Sequence, residues 1–252
     1  LTHETLSGLT FAGLAGIIDP PKESAIQAVK ESQEAGISVK MITGDHKDTA
    51  QAIGEQVGLK HTKKVLEGLE IDAMSDEELA QNVQKVDVFA RTTPEHKLRI
   101  VTALQNNGEI VGMTGDGVND APALKKADVG IAMGIKGSEV TKQAADMVLA
   151  DDNFHTIAKA VKEGRRIFDN LKKTITFFLP TSLAQGLIVV WALLMNHPLP
   201  LTPVQILWVN MVTTITLSYA LGFEKASADT MKRPPRDVNE GILTKYSIFR
   251  SE

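Results

Sequence analysis

"VGMTGDGVNDAPAL", residues 111–124, starts as a buried strand would and ends as the first turn of a helix would. Between the two lie Gly115, Asp116, Gly117, Asn119 and Asp120. Carboxylates and an amide where an apolar strand has just ended fit either a tight turn or a site for a ligand. Which of the two holds depends on what else the chain brings to the same place.

The residues upstream and downstream of this stretch alternate between short apolar runs and helical patterns. "FAGLAGI" (11–17), "ISVKMIT" (37–43), "VDVFAR" (86–91), "EIVGMT" (109–114), "ADVGIAM" (127–133) and "DMVLA" (146–150) read as strands. After Asp19, Pro20 and Pro21 open a helical segment that shows Ile26 and Val29 on one face and stops at Gly36. "TTPEHKLRIVTALQNNG" repeats that plan, with Thr93 as cap, Pro94 in the first turn and Gly108 past the end. Strand–helix alternation predicts an α/β domain with a mostly parallel, doubly wound sheet, and such sheets bind ligands where the carboxyl ends of the strands emerge.

Three polar clusters follow three of these strands: Thr43-Gly44-Asp45, then Lys97, then the Asp116–Asp120 turn. Parallel, central strands would bring them together. A hydroxyl, an ammonium and two carboxylates suit a phosphoryl group and magnesium, since the hard cation takes carboxylate oxygen and the phosphoryl oxygens take donors and positive charge. Neither glycine cluster is a GxxxxGK[ST] phosphate loop. Each cluster also has a plainer reading: Asp45 as a helix N-cap, Lys97 as a surface charge, Asp116 and Asp120 as turn formers. The six histidines show no metal-ligand spacing and are expected to be structural or exposed.

Composition sets further bounds. The 252 residues are 43% hydrophobic and 23% charged, with a formal net charge of −4, which gives no basic face for nucleic acid. With no cysteine, disulfides and thiolate metal sites are excluded. The first residues lack a starting Met and a signal-peptide pattern, so the chain is expected to begin inside something larger. From Thr174 to Phe223 there is no Asp, Glu, Lys or Arg. Thr174–Met195 and Thr202–Phe223 are each long enough to cross a bilayer, which takes about 20 residues. "NHPLPL" (196–201) turns between them, with Pro198, Pro200 and Pro203 breaking the helical pattern. Arg165, Arg166, Lys172 and Lys173 precede the pair, and Lys225, Lys232, Arg233 and Arg236 follow it, which predicts a hairpin with both ends cytoplasmic. The plainer alternative is a helical pair buried in a soluble core.

"MITGDHKDTAQAIGEQVG", "FARTTPEHKLRIV" and "MTGDGVNDAPALKKADVGIAMG" closely resemble the phosphorylation domain of P-type cation-transporting ATPases, and so do "IIDPPKESAIQAVKESQEAGI", "GRRIFDNLKKTI" and "TPVQILWVNMVT". The resemblance spans nearly the whole chain in the family's order. It implies a haloacid-dehalogenase-like Rossmannoid domain with a parallel sheet (residues 1–153), a stalk helix (154–173), a transmembrane helical hairpin matching the fifth and sixth membrane helices (174–223), and a cytoplasmic segment leading to a further membrane helix (224–252). It implies an integral membrane protein of the cell membrane, with ATP and Mg2+ as cofactors. The partners would be a transported cation, the lipid bilayer and the remainder of the same pump polypeptide, with no nucleic acid.

Carried over residue by residue, the resemblance implies Asp116 as the magnesium ligand, with Asp120 supporting the metal site and the surroundings of the attacking water. Asn119 would bond the phosphoryl oxygens, Lys97 would neutralise their charge, and Thr43 and Gly44 would donate hydrogen bonds. Asp45 would lie near the nucleotide, and Asp19 would be a hinge-side residue near the phosphorylation site. Related calcium pumps carry a Glu in the fifth helix and an Asp in the sixth; Gln185 and Thr214 stand at those positions here, and Ser182 stands where those pumps have an Asn. With Asn210 and Thr213 these would be neutral oxygen ligands for the transported ion, which weighs against calcium and leaves monovalent ions open. Interhelical hydrogen bonding is the plainer role for all five. Pro180 is expected to interrupt the helix near Gln185 and free backbone carbonyls.

Two competing readings remain at this level. One is a membrane-anchored phosphatase of the same fold, which would need a DxD nucleophile motif; the other is a noncatalytic fragment. The family's nucleophile lies in a "DKTGT" segment that does not occur within these 252 residues. The chain by itself is therefore expected neither to hydrolyse ATP nor to form a phosphoenzyme. Incubation with radiolabelled ATP and magnesium should leave no acid-stable label, and stable labelling would overturn this expectation.

Overall fold

The computed structural model describes Thr10, Gly13 and residues 20–237, 240 and 241. The run at 11–17 apart from Gly13, and Asp19, both singled out above, lie outside the described residues, as does His3. Helix α1 (Glu23–Glu34) begins just after Pro20 and Pro21 and ends at Gly36, whose φ of +78° suits a residue without a side chain. Then come β1 (Met41–Ile42), α2 (Lys47–Gln56), β2 (Val65–Glu67), α3 (Gly68–Ala73), α4 (Asp76–Val83), β3 (Val88–Ala90) and α5 (Pro94–Asn106). The second half holds β4 (Gly112–Gly115), α6 (Ala121–Lys126), β5 (Val129–Met133), α7 (Glu139–Ala144) and β6 (Met147–Leu149).

The strands form two three-stranded parallel sheets, ordered β1-β3-β2 and β4-β5-β6. Strand β3 is buried throughout, and its alternation divides the core between two faces. Phe89 packs with Leu66, Ile71, Leu79, Val83 and Ile100, while Val88 and Ala90 pack with Val29, Ala50, Leu59 and Val65. Helices on both faces are what a parallel sheet requires. Two details depart from the sequence reading. Strand β2 was not expected, because "VLE" is too short to show a period. Of the three strands that lead to polar clusters, β3 is central, whereas β1 and β4 are edge strands among the described residues.

At the end of the first sheet opposite the polar clusters lies a buried ion cluster. Asp87 accepts from Lys40 Nζ at 3.0 Å and from the His61 backbone N–H at 2.9 Å, with His61 Nδ1 at 3.1 Å. The Lys40 and Asp87 side chains are only 10% and 4% exposed. Burial pulls the Asp87 carboxyl upward, but the Lys40 and His61 hydrogen bonds and the Lys40 charge outweigh it and hold the group below the ordinary carboxylate value.

Helix α8 (Phe154–Leu194) is a single helix of 41 residues that carries the polar 154–173 segment and the first charge-free stretch without a break. Helix α9 (Pro203–Gly222) is the second charge-free stretch. The sequence led us to expect an interruption at Pro180, and there is none. Proline removes the hydrogen bond to the Thr176 carbonyl, but a segment without charged groups offers the backbone no better partner, and the helix continues. A Schellman-type end closes α8, with Asn196 at φ +53° and the His197 N–H donating to the Ala192 carbonyl at 2.9 Å.

Both helices are long and apolar enough to cross a membrane, and α9 has no buried residue. Leu183, Leu187, Trp191, Leu207, Trp208 and Ile215 stand more than half exposed, which is not how a soluble core treats such side chains. The chain beyond α9 folds back as a strap along the polar part of α8. Arg165 donates to the carbonyls of Thr230, Arg233 and Ala35, and Asn170 donates to those of Gly222 and Glu224. The Arg236 guanidinium sits 4.2 Å from the centre of the Phe168 ring. Gly36 meets the same strap, since a Cβ there would fall 2.7 Å from Pro235 Cδ.

Removing Asp87 leaves the Lys40 ammonium buried without its counter-ion, so Asp87→Ala is expected to cost about 3 kcal/mol near neutral pH. A carboxyl whose folded value is lowered contributes stability above its unfolded value and loses it as pH falls through the folded one. The deficit of Asp87→Ala should therefore shrink in acid, where the unsubstituted protein loses the same interaction. Thermal melts at about pH 7 and about pH 3 check this, and a deficit that does not change with pH would contradict it.

Candidate functional site

The turn after β4 is held by one carboxylate. Asp120 is 6% exposed and ends a single 3-10 turn, Val118–Asp120. One of its oxygens accepts from Lys97 Nζ at 2.6 Å. The other faces the backbone N–H groups of Asp116 and Gly117 at 3.3 and 3.2 Å. Both oxygens are thus engaged in bonds that fix the turn. Such charge-assisted bonds in a buried setting are strong ones. Gly115 makes room for this arrangement, because a Cβ at that position would lie 2.5 Å from Asp120 Cβ.

The neighbouring carboxylate is placed differently. Asp116 is exposed, and its side chain has no hydrogen bond or ion pair to a described residue. Its backbone is fixed from behind: its carbonyl accepts from the Ser138 N–H at 2.9 Å, and buried Thr141 donates to the Gly117 carbonyl at 2.9 Å. Asn119 and Gly117 lie on the same rim, Asn119 exposed and Gly117 half-buried.

Lys97 is the fourth residue of α5, with its side chain 20% exposed, so it is no ordinary surface lysine. Thr93 caps this helix and Pro94 opens it, as the sequence suggested. The Thr43 cluster joins the same framework through the residue before that cap. The Thr43 carbonyl accepts from both the N–H and the hydroxyl of Thr92, at 3.1 and 3.0 Å, and the Asp45 carbonyl accepts from the Arg91 N–H at 3.0 Å. Thr43 Oγ1 donates to Asp45 Oδ2 at 2.9 Å, and Gly44 and Asp45 are exposed. Asp45 is not the N-cap of α2; that position is His46, which makes no side-chain cap.

Three clusters far apart in sequence are therefore linked, Thr43 to Thr92, then Thr93 through α5 to Lys97, and Lys97 to Asp120. Ser138, Thr141, Thr92 and His96 belong to this framework and were not singled out from the sequence. The Ser-x-x-Thr pattern at Ser138, a helix cap in the structure, is the one local signal that could have found any of them. Among the described residues no cluster of three or more His, Cys, Asp or Glu side chains could hold a metal. A hard cation of the magnesium type needs no such cage, since it is commonly held by one or two carboxylates plus substrate phosphate and water. The outward Asp116 carboxylate fits that requirement.

The five polar residues of the hairpin lie on two helices. Ser182 and Gln185 are one turn apart on α8, and Asn210, Thr213 and Thr214 share a face of α9. Gln185 and Thr213 are half-buried and the other three exposed, and no hydrogen bond joins the two sets among the described residues.

Because Gly115 touches Asp120, Gly115→Ala is expected to displace that carboxylate and cost about 2 kcal/mol. Gly117→Ala, where the new Cβ would lie 3.7 Å from Asp120 Oδ2 and meet no clash, should cost less, about 0.5 kcal/mol. Thermal unfolding of the two variants side by side checks this, and equal melting points would show that Asp120 is not tightly seated.

Three family models and several relatives match the chain. A model described as "haloacid dehalogenase-like hydrolase" matches residues 3–128, half of the chain, and a second of the same description matches 98–161. A model described as "Cation transporting ATPase, C-terminus" matches residues 198–251. A "Calcium-transporting ATPase" of Bacillus subtilis is 51% identical over 238 residues, 94% of this chain and 27% of that protein. A "Probable cation-transporting ATPase F" of Mycobacterium tuberculosis is 50% identical over 248 residues, 96% of this chain and 27% of that protein. The human "Calcium-transporting ATPase type 2C member 1" is 48% identical over 246 residues, 97% of this chain and 27% of that protein. The chain thus spans about a quarter of the length of these relatives. It belongs to the haloacid dehalogenase-like hydrolases, and along nearly its whole length it is similar to one stretch of the P-type cation-transporting ATPases.

Proposed function

We propose that this chain is the site-bearing and membrane-entering part of an ATP-driven cation pump, which couples formation and hydrolysis of an aspartyl phosphate to ion movement. The observation that carries this reading is α8, one uninterrupted helix of 41 residues that joins the α/β domain with the Lys97–Asp120 turn to the charge-free hairpin. A soluble hydrolase of the same fold has no use for such a connection. In this reading residues 1–153 are the C-terminal part of the phosphorylation domain, 154–173 the stalk, 174–223 the hairpin and 224–252 a segment leading onward. The basic residues at both outer ends of the hairpin favour an α/β domain on the cytoplasmic side of the cell membrane.

Phosphoryl transfer asks a protein mainly for positioning and charge. Lys97 supplies positive charge to the phosphoryl oxygens, and Asp120 holds its ammonium in place. Gly44 and Asn119 donate hydrogen bonds, the Thr43 hydroxyl turns from Asp45 to the phosphoryl oxygens when they are present, and Asp45 borders the nucleotide. Asp116 would hold the metal, which would supply positive charge to the phosphoryl group. Because both oxygens of Asp120 are committed to Lys97 and the backbone, its part in the metal site is to shape the turn rather than to bind directly. The acceptor aspartate comes from another part of the pump. Edge strands β1 and β4 each offer an unpaired side to a further parallel strand among the described residues, which supports that arrangement. Ser182, Gln185, Asn210, Thr213 and Thr214 contribute neutral oxygens to the ion path, with the compensating carboxylates on other helices.

In the complete pump, beryllium fluoride, a phosphoryl mimic, should bind only with magnesium, and Asp116→Asn should weaken that binding about 100-fold. Binding that is indifferent to Asp116 would remove the metal assignment.

A further inference from the structure

The first turn of α5 is fastened by a histidine that plays no part in the chemistry above. His96 is the third residue of the helix and is 4% exposed. Its Nδ1 accepts from the Thr93 N–H at 3.0 Å, and its own N–H donates to Thr93 Oγ1 at 3.4 Å. This is a capping box in which the imidazole stands where Glu or Gln usually stands. With Nδ1 accepting, the ring proton sits on Nε2, which donates to Asp72 Oδ1 at 2.7 Å. An ionised Glu cap, which only accepts, has no such second reach. The imidazole therefore ties the helix start to α3, a separate element.

The ring is seated against backbone that leaves no slack. A Cβ at Gly68 would lie 2.7 Å from His96 Cε1 and 2.5 Å from the Arg91 carbonyl. The next residue is Lys97, whose ammonium reaches Asp120 at 2.6 Å. Two residues further on, Arg99 donates to the carbonyls of Ile71 and Met74, so α5 is bonded to the α3–α4 region on both sides of Lys97.

We infer that His96 is a positioning residue for Lys97: through Thr93 and Asp72 it fixes the helix start from which the lysine reaches the phosphoryl site. The part concerning phosphate rests on the proposed function; the part concerning the Lys97–Asp120 geometry does not. A misplacement of about 1 Å at such a site is enough to cost large factors in rate or affinity.

Two measurements test this separately. The first is competitive acylation of the 252-residue chain with acetic anhydride, read by mass spectrometry, with exposed Lys85 as internal reference. His96→Ala should raise Lys97 labelling about fivefold relative to Lys85, and His96→Gln, which restores the cap, should stay near the unsubstituted protein. Should His96→Ala not fold, Asp72→Ala carries the test with an expected increase of about twofold, since only the tie to α3 is lost. Lys97 labelling unchanged in all variants, or equal in His96→Gln and His96→Ala, overturns the inference.

The second measurement is phosphorylation of the complete pump by inorganic phosphate. His96→Ala should raise the half-saturating phosphate about tenfold without changing the magnesium requirement, and His96→Gln should recover most of it. A role confined to stability would lower the amount of active protein and leave the phosphate affinity unchanged, and that outcome overturns the inference. An unsubstituted protein that takes up no phosphate would sink the proposed function, and the acylation result alone would then decide whether His96 positions Lys97.

Discussion

The structure of the α/β domain turns on the contact between Lys97 and Asp120. Lys97 belongs to α5, which leaves β3 of the first sheet, and Asp120 follows β4 of the second. Their ion pair is the point where two half-sheets are held to a common geometry at one end. The side chains are 20% and 8% exposed, so solvent screens them little, unlike the surface pairs elsewhere on the chain. Burying a carboxylate is costly unless its oxygens are satisfied, and Lys97 with the Asp116 and Gly117 N–H groups meets that condition. Gly115 and the Thr141 hydroxyl then follow as requirements of the same seat.

A second set of contacts ties the membrane-facing part to that domain. Surface ion pairs such as Lys173–Glu224 and Lys172–Glu240 contribute little on their own. Arg165 matters more, because its planar fork engages three backbone carbonyls from two distant segments, Ala35 after α1 and Thr230 and Arg233 in the strap. The end of α9 is therefore not free of the domain. It is connected back to the start of α8 and to α1 by bonds that a rotation of either helix would strain.

Much of this was legible in the sequence, for physical reasons that differ from case to case. Thr93 and Pro94 announce the start of α5, since cap and first-turn residues are chosen by the backbone itself. The charge-free run from Thr174 to Phe223 needs no tertiary information at all. The polar clusters after "ISVKMI" and "EIVGM" could be located but not differentiated. Nothing in the spacing says that Asp120 is buried while Asp116, four residues earlier, is exposed, because that depends on Lys97 arriving from another element. His96 is invisible for the same reason, its partner Asp72 lying on α3. Pro180 was misleading in the other direction, since its local rule assumes competing partners that the segment lacks. The edge position of β1 and β4 is a matter of topology, which no strand reveals alone.

The unbroken helix α8 also sets a scale for movement. Gln185 lies about 45 Å along the axis from Phe154 at 1.5 Å per residue. A stiff rod pivoting at its base through about 5° carries that side chain sideways by about 4 Å. If Gln185 is an oxygen ligand of the proposed ion path, a shift that large takes it out of reach of the same cation. A lever of this length needs no refolding at either end: a tilt too small to disturb the packing of α1 against its base moves the side chains at its far end by several ångströms, enough to change the proposed ion path.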